Sequence, residues 1–407
     1  MTDSPSPVIV APPLRGDGGF DYQNTSTRVV LKPGAIDDLP QLIGQLGCQR
    51  LMLICGPNTR RTRLFERVHD ALGGAVAIVL DRVAEHSSTT LVTEAAALAR
   101  AHAVDGLLAV GGGSASDTAK GIAILLGEGG VIEQHASSFT PPDQFVPRPL
   151  PSPKLPIIAV PTTASAAEVT PGLGLKDPQG RKLLFWDNTL ACRLIVIDPL
   201  AATEVPPAIL AATAMNGFAH CVEGLYSRLR NPISEALALH GITLFSKWLP
   251  RMVAEPDSVE ARAGVLTAAH LSGMVISNSR VGIHHAICHC LGARGGLSHG
   301  VANSIMLPHC VAYNIPVAGT QIARIGAAMD AETFPQQHGS GDPLHAVEAI
   351  RGLQRLARVP TRLRDTGLDR TLLSAIADDT MRDRGLYFNP RRTDTVATVL
   401  QLLEEAW

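Results

Sequence analysis

Five of the chain's fourteen histidines fall in one stretch, Val281–His309, which reads VGIHHAICHCLGARGGLSHGVANSIMLPH. They are His284, His285, His289, His299 and His309, set among Gly, Cys and small apolar residues with no acid between them. A solvated segment would carry Lys and Glu, so this one reads as the lining of an interior pocket. His285 and His289 are four residues apart and share one face of a helix. Asn216 and His220, in ATAMNGFAHCVEGLYS, have the same spacing on another helix. Glu223, three beyond His220, is placed to hydrogen-bond that ring's second nitrogen. His299 follows a Gly-rich turn. Three imidazoles (His220, His285, His299) and the Asn216 amide oxygen thus converge from two helices and a loop. That set suits a divalent metal. It also reads as a hydrogen-bonded polar pocket, because an amide oxygen is a weaker ligand than a carboxylate.

The first half supplies a partner for that pocket. Apolar runs at Arg28–Lys32, Gln49–Cys55, Ala75–Leu80, Gly106–Val110, Ile157–Val160 and Leu194–Asp198 read as strands. Helical patterns alternate with them at Ala35–Leu46, Thr62–Leu72 and Thr89–His102. Strands apolar on both faces, alternating with helices, imply a doubly wound parallel sheet. The strand at 106–110 runs into GGGSASDTAK and then a helix. Gly111, Gly112 and Gly113 let backbone approach an anion closely, and the helix that follows offers unpaired N–H groups. The turn reads as a phosphate or pyrophosphate cradle, without the GxGxxG or P-loop pattern. PTTASAAEVT (161–170) ends the next strand with small hydroxyl residues. Ligands of open α/β sheets sit at such strand ends. The Pro-rich 141–156 segment reads as an exposed loop.

From Pro207 onward strand signals nearly vanish, so the second half reads as helical. The expected division is a flexible N-terminal arm (1–25), an α/β dinucleotide-binding domain (26–200) and an all-α catalytic domain (201–407). A length of 407 residues suits two domains. A net charge of −2 with no basic run argues against a nucleic-acid or membrane-surface partner. No apolar run is long enough to span a bilayer, and the N-terminus lacks a signal-peptide pattern. Seven cysteines without a CxxC pair read as buried free thiols, as in a reducing, cytoplasmic compartment.

The motifs GGGSASDTAK, VPTTASAAEVT, AMNGFAHCVEG and HHAICHCLGARGGLSHGVANSIMLPH, in this order, resemble the iron-containing (group III) alcohol dehydrogenases. The resemblance runs from about residue 25 to the C-terminus. It implies hydride transfer between a nicotinamide and a substrate in a cleft between an α/β and a helical domain, in a protein that commonly dimerises. In the metal-dependent members an Asp and three His hold iron or zinc. The His positions match His220, His285 and His299, but the Asp position is Asn216. His289 matches a histidine near the nicotinamide.

The Asn resembles the maleylacetate reductase branch, which reduces a carbon–carbon double bond of an unsaturated oxo-dicarboxylate to give 3-oxoadipate and requires no metal. Asp117 and GLSHGVANSIMLPH are closer to the metal-binding dehydrogenases, so metal-dependent alcohol or aldehyde chemistry is the alternative. The resemblance implies that Gly111, Gly112, Gly113 and Ser114 hold a pyrophosphate, with Asp117 and Asn58 on the cofactor and Thr162 and Thr163 on the nicotinamide side. His289 or His285 is the expected proton donor, with His220, His299 and Asn216 polarising the substrate oxygen. A dianionic substrate needs cations, and Arg280 and Arg294 bracket the histidines. Gly56 stands where NAD-preferring members place an Asp, and Arg60, Arg61 and Arg63 follow. NADPH is therefore allowed beside NADH. Lyases of the same architecture need a Lys-rich phosphate pocket, but residues 183–407 contain only Lys247.

Overall fold

A computed structural model describes residues 19–84, 87–141, 144–146, 148–329, 331–334 and 341–407 of the protein. Among the described residues, ten strands lie in the first half: β1 (Arg28–Leu31), β2 (Leu51–Ile54), β3 (Val76–Leu80), β4 (Gly106–Gly111), β5 (Ser138–Thr140), β6 (Gln144–Val146), β7 (Ile157–Pro161), β8 (Gly172–Lys176), β9 (Lys182–Trp186) and β10 (Leu194–Ile197). Six form one parallel sheet in the order β1-β10-β7-β4-β2-β3. Successive residues face opposite sides of a strand. Leu51 and Leu53 therefore join the core under α1 (Leu39–Gly44) and α2 (Arg63–Leu72), while Met52 and Ile54 join the one under α3 (Thr89–Ala101) and α4 (Gly113–Glu128). Burial on both faces is why these strands are apolar runs rather than alternating ones.

Register fixes where the site can be. Leu107 of β4 pairs with Ile157 of β7, and Gly111 with Pro161, so the two central strands end level. The glycine turn and the threonine turn then emerge side by side, joined by the Thr162 N–H donating to the Gly111 carbonyl at 3.0 Å.

The β8–β9 hairpin is absent from the sequence reading. Gly172 and Gly174 dilute its strand signal. They are required because a Cβ would lie 2.5 Å from the Trp186 ring at 172 and 2.6 Å from Lys182 Cε at 174. The buried Lys120 ammonium of α4 anchors the hairpin, donating to the carbonyls of Ala167, Thr170 (2.6 Å) and Gly172 (2.8 Å).

One other expectation needs correcting. The Pro-rich segment is not wholly exposed: Leu150 is buried, and Lys154 pairs with Glu128 at 2.6 Å out of solvent. The expected arm is described only from Gly19, residues 1–18 lying outside the described part. There Gln23 is held to α7 (Val259–Ser279) through Asn278 at 2.9 and 3.3 Å.

The second half is helical: α5 (Pro207–Tyr226), α6 (Pro232–Ala254), α7, α8 (Ile283–Gly295), α9 (His299–Ala328), α10 (Pro343–Leu356), α11 (Leu373–Thr380), α12 (Gly385–Phe388) and α13 (Val396–Glu405). Helix α5 is buried on nearly every side among α6, α7 and α9. That explains its uniformly apolar sequence and makes Asn216, His220 and Glu223 informative. Among the described residues, no helix is long and apolar enough to cross a membrane.

Glu168, beyond β7, is 3% exposed, and burial pushes its carboxyl up from 4.5 to about 7. Between those values the unfolded chain has lost this proton while the folded one keeps it. Stability therefore falls as pH rises through the window, by on the order of 3 kcal/mol. Glu168→Gln should flatten this slope, matching wild type near pH 5 and raising Tm near pH 8. Thermal denaturation across that range checks it.

Candidate active site

A cleft of about 650 Å³ lies between the carboxyl ends of the sheet strands and the helical half. At its sheet end Gly112, Gly113 and Ser114 form the floor. No side chain caps the N-terminus of α4, so its first-turn N–H groups are presented there. Close backbone packing demands the glycines. Gly111 has φ 128° and lies against Thr59, and a Cβ on Gly113 would come 2.9 Å from Ser165 Oγ. Asn58, Asp117 and Thr163 also line the cleft, whereas Thr162 is buried beside it. Burial pushes the Asp117 carboxyl up, and its Oδ2 accepts the Gly174 N–H at 3.3 Å. Arg60 is turned away, pairing with Asp81 at 3.5 Å and covering the Phe65 ring.

The opposite wall carries the histidines, and three of them are held at Nδ1. His220 Nδ1 is 3.4 Å from Ser272 Oγ. His285 Nδ1 is held by Glu223 Oε2, and His289 Nδ1 donates to Asp383 Oδ2 at 2.8 Å. Their Nε2 edges are thereby left for the cleft, which His299, first residue of α9, also lines. The His220 and His285 rings stack at 4.9 Å, and His289 and His299 lie 5.5 Å apart. His284 is buried behind the wall, its Nε2 donating to the Asn303 carbonyl at 3.0 Å. His309 is not at the cleft; it lies near Arg351 and Glu405.

Glu223 does not serve His220, as its spacing suggested. It spans from α5 to the start of α8, where Oε1 accepts the N–H groups of Gly282 (2.9 Å) and His284 (3.1 Å). It is thus the acidic cap that α8 lacks at its own N-cap, Gly282. Burial pushes its carboxyl up, but His285, His284 and these N–H groups outweigh that and hold it well below the carboxylate range. Burial in turn draws His285 down to about 4 and His220 well below 6.5. The two tendencies are consistent with one state: ionised Glu223 and a neutral His285 whose proton sits on Nδ1.

The fit to a metal is decided at Asn216. Its Oδ1 accepts from Asn303 Nδ2 at 3.0 Å and lies 3.2 Å from His285 Nε2, while its Nδ2 reaches Ser165 O at 3.4 Å. The amide is committed to a hydrogen-bond network and carries no charge. Among the described residues, the ligand-type atoms close enough to surround an ion belong to Glu223, His284 and His285, already joined by their own hydrogen bonds. A dication amid buried neutral donors lacks a compensating carboxylate. The residues do not fit the family's carboxylate-anchored metal.

The expected substrate cations need correcting. Arg294 points outward and pairs with Asp379 at 2.6 Å. Arg280 is packed on the Trp186 ring at 3.6 Å and lines a neighbouring cavity, not this cleft; burial pushes its guanidinium down to about 9. The cleft cations are Lys182 of β9 and Arg384, which precedes α12. Sequence reasoning missed both. The signal for Lys182 was the unread hairpin turn DPQG. Arg384 lies 95 residues beyond His289, with no spacing to connect them.

An uncapped glycine turn thus faces a histidine wall across one cleft. The profile described as iron-containing alcohol dehydrogenase matches residues 26–199, and that of the Fe-containing alcohol dehydrogenase family, C-terminal, matches 210–407. Maleylacetate reductase 2 of Cupriavidus pinatubonensis is 33% identical over 79% of this chain and 80% of its own. The crystal structure of a 1,3-propanediol oxidoreductase superposes with a TM-score of 0.86 at 28% identity, covering 96% of this chain and 100% of that one. Maleylacetate reductase from Agrobacterium tumefaciens gives 0.79 at 25%, covering 96% and 98%. The chain belongs to the iron-containing alcohol dehydrogenase family and is an oxidoreductase close to the maleylacetate reductases.

Glu223→Gln should keep the α5–α8 contact in shape but lose the charge that holds His285. The expected result is a fall in kcat of roughly 10- to 100-fold with dinucleotide affinity unchanged. Steady-state kinetics and a fluorescence titration with reduced dinucleotide check this.

Proposed function

We propose that the protein is an NAD(P)H-dependent reductase of unsaturated oxo-acids, acting on maleylacetate or a close relative to give the saturated oxo-acid. The observation that carries this is the Asn216 amide, hydrogen-bonded to Asn303 at the position where metal-dependent members of the family carry a charged ligand. The likeness to maleylacetate reductases supports it. The glycine turn fits a pyrophosphate, because a Cβ would fill the cradle at Gly113. Asn58 and Asp117 flank that cradle, and Thr163 borders the nicotinamide side. With no carboxylate at Gly56 to repel a 2′-phosphate, NADPH is accepted beside NADH. When bound, the reduced dinucleotide supplies hydride to one carbon of the double bond.

The protein's own groups do the rest. Imidazoles of the histidine wall in their protonated form, with the Asn216 amide, polarise the conjugated carbonyl and stabilise the enolate that develops. His285 can carry a transient proton on Nε2, since Glu223 holds Nδ1 and Asn216 Oδ1 lies 3.2 Å from Nε2. His289, oriented by Asp383, delivers the proton that completes reduction. Burial, then the nearby Lys182, lowers the proton affinity of its ring. The acid form is therefore populated only on the low side of the ordinary imidazole value.

A metal-dependent alcohol dehydrogenase is the second reading, favoured by the closer overlap with 1,3-propanediol oxidoreductase. A panel of maleylacetate and simple aldehydes, each with NADH and NADPH, separates the two. Reduction of maleylacetate at least as efficient as that of any aldehyde is expected. Turnover of aldehydes alone would overturn the reading. In the same assay kcat/KM should fall as pH rises, with an inflection below 6.5. His289→Gln should abolish that limb and lower the rate roughly 100-fold or more.

A further inference from the structure

The cleft holds two cations that the chemistry above does not use. Lys182 comes from the β8–β9 hairpin, where its stem crosses Gly174 so closely that a Cβ there would lie 2.6 Å from Lys182 Cε. The hairpin thus aims the ammonium inward, and Gly174 is itself tied to Asp117 by its N–H. Arg384 comes from the far end of the chain. It sits in the turn Asp383–Gly385, whose Asp383 accepts the Gly385 N–H through Oδ1 at 2.7 Å and the His289 ring N–H through Oδ2 at 2.8 Å. The turn is pressed against α8, since a Cβ on Gly385 would meet the Gly282 carbonyl at 2.7 Å. One rigid turn therefore sets both the histidine and the arginine.

We propose that Lys182 and Arg384 form a carboxylate-binding pair beside His289, so that the cleft selects substrates carrying a carboxylate group at the end that faces this pair. The inference rests on the oxo-acid reading of the site. Two observations carry it. The first is that both cations line the cleft and lie close enough to His289 to act on its ring. The second is the local charge. Arg280, stacked behind Trp186, adds a third cation close by. Asp383 and Asp117 lie beside them, Asp383 also holding His289 and Gly385 and Asp117 also accepting the Gly174 N–H. Burial also pulls Lys182 toward its neutral form, which an anionic ligand opposes. A guanidinium and an ammonium give a carboxylate both a fork of donors and a point charge. An aldehyde without a carboxylate has nothing to place there.

The test uses the protein saturated with oxidised dinucleotide, and adipate as an unreactive dicarboxylate probe, measured by calorimetry. Wild type should bind adipate. Arg384→Gln and Lys182→Gln should each weaken it roughly tenfold or more, with dinucleotide affinity and Tm held. Arg384→Lys should recover part of the loss. Turnover should split the same way: KM for an oxo-acid rises in Arg384→Gln, while KM for an uncharged carbonyl compound stays put. Absence of adipate binding by wild type, or equal binding by wild type and Arg384→Gln, overturns the pair. So does a Lys182→Gln variant that loses dinucleotide affinity but keeps adipate. If adipate binding depends on both residues while no oxo-acid is reduced, the subsite stands and the reaction assigned above falls. If oxo-acids are reduced with an unchanged KM by Arg384→Gln, the reaction stands and the subsite falls.

Discussion

Glu223 has no exposed surface, yet it carries the charge around which the helical half is arranged. It rises from α5, the most enclosed helix, and closes the N-terminus of α8 with one oxygen while holding His285 with the other. A buried carboxylate is costly unless every lone pair finds a donor. Here two backbone N–H groups and the His285 ring N–H supply donors, with the His284 ring 3.4 Å away. The same contacts fix which edge of His285 looks into the cleft. The junction of α5 with α8 and the orientation of His285 therefore depend on one carboxylate, and a change that releases Glu223 disturbs both.

The wall meets a sheet whose register does comparable work. Because β4 and β7 end level, the glycine and threonine turns form one surface, and the uncapped end of α4 lies along it. A ligand stretched from this surface to the histidines must pass the β8–β9 hairpin. The hairpin contributes Trp186 and Lys182 and is pinned by the buried ammonium of Lys120. The cleft carries the Asp117 carboxyl at its sheet end and the Lys182 and Arg384 cations toward the histidines.

Much of this was legible in the sequence where a local pattern decides the outcome. The strands of the parallel sheet, the helix after the glycine turn and the histidines at four-residue spacing each carry their signal within a few residues. What escaped depends on partners far apart in the chain. Glu223 looked like the neighbour of His220, but it reaches His284 and His285, about 60 residues on. Arg294 looked close to the histidines, but on its helix it faces Asp379 instead. The hairpin was hidden because the two glycines that let Lys182 and Trp186 cross it are poor strand formers. Asp383 and Arg384 reach the site only because a late turn folds back on α8.

In the proposed reaction, hydrogen-bond donors at Asn216 and the histidines, rather than a Lewis acid, carry the polarisation. The most direct measurement is maleylacetate reduction by protein exhaustively treated with chelator, with metal content determined on the same sample. The account predicts that the rate persists when iron and zinc are far below one ion per chain. Complete loss of activity on chelation, restored by adding iron or zinc, would contradict it.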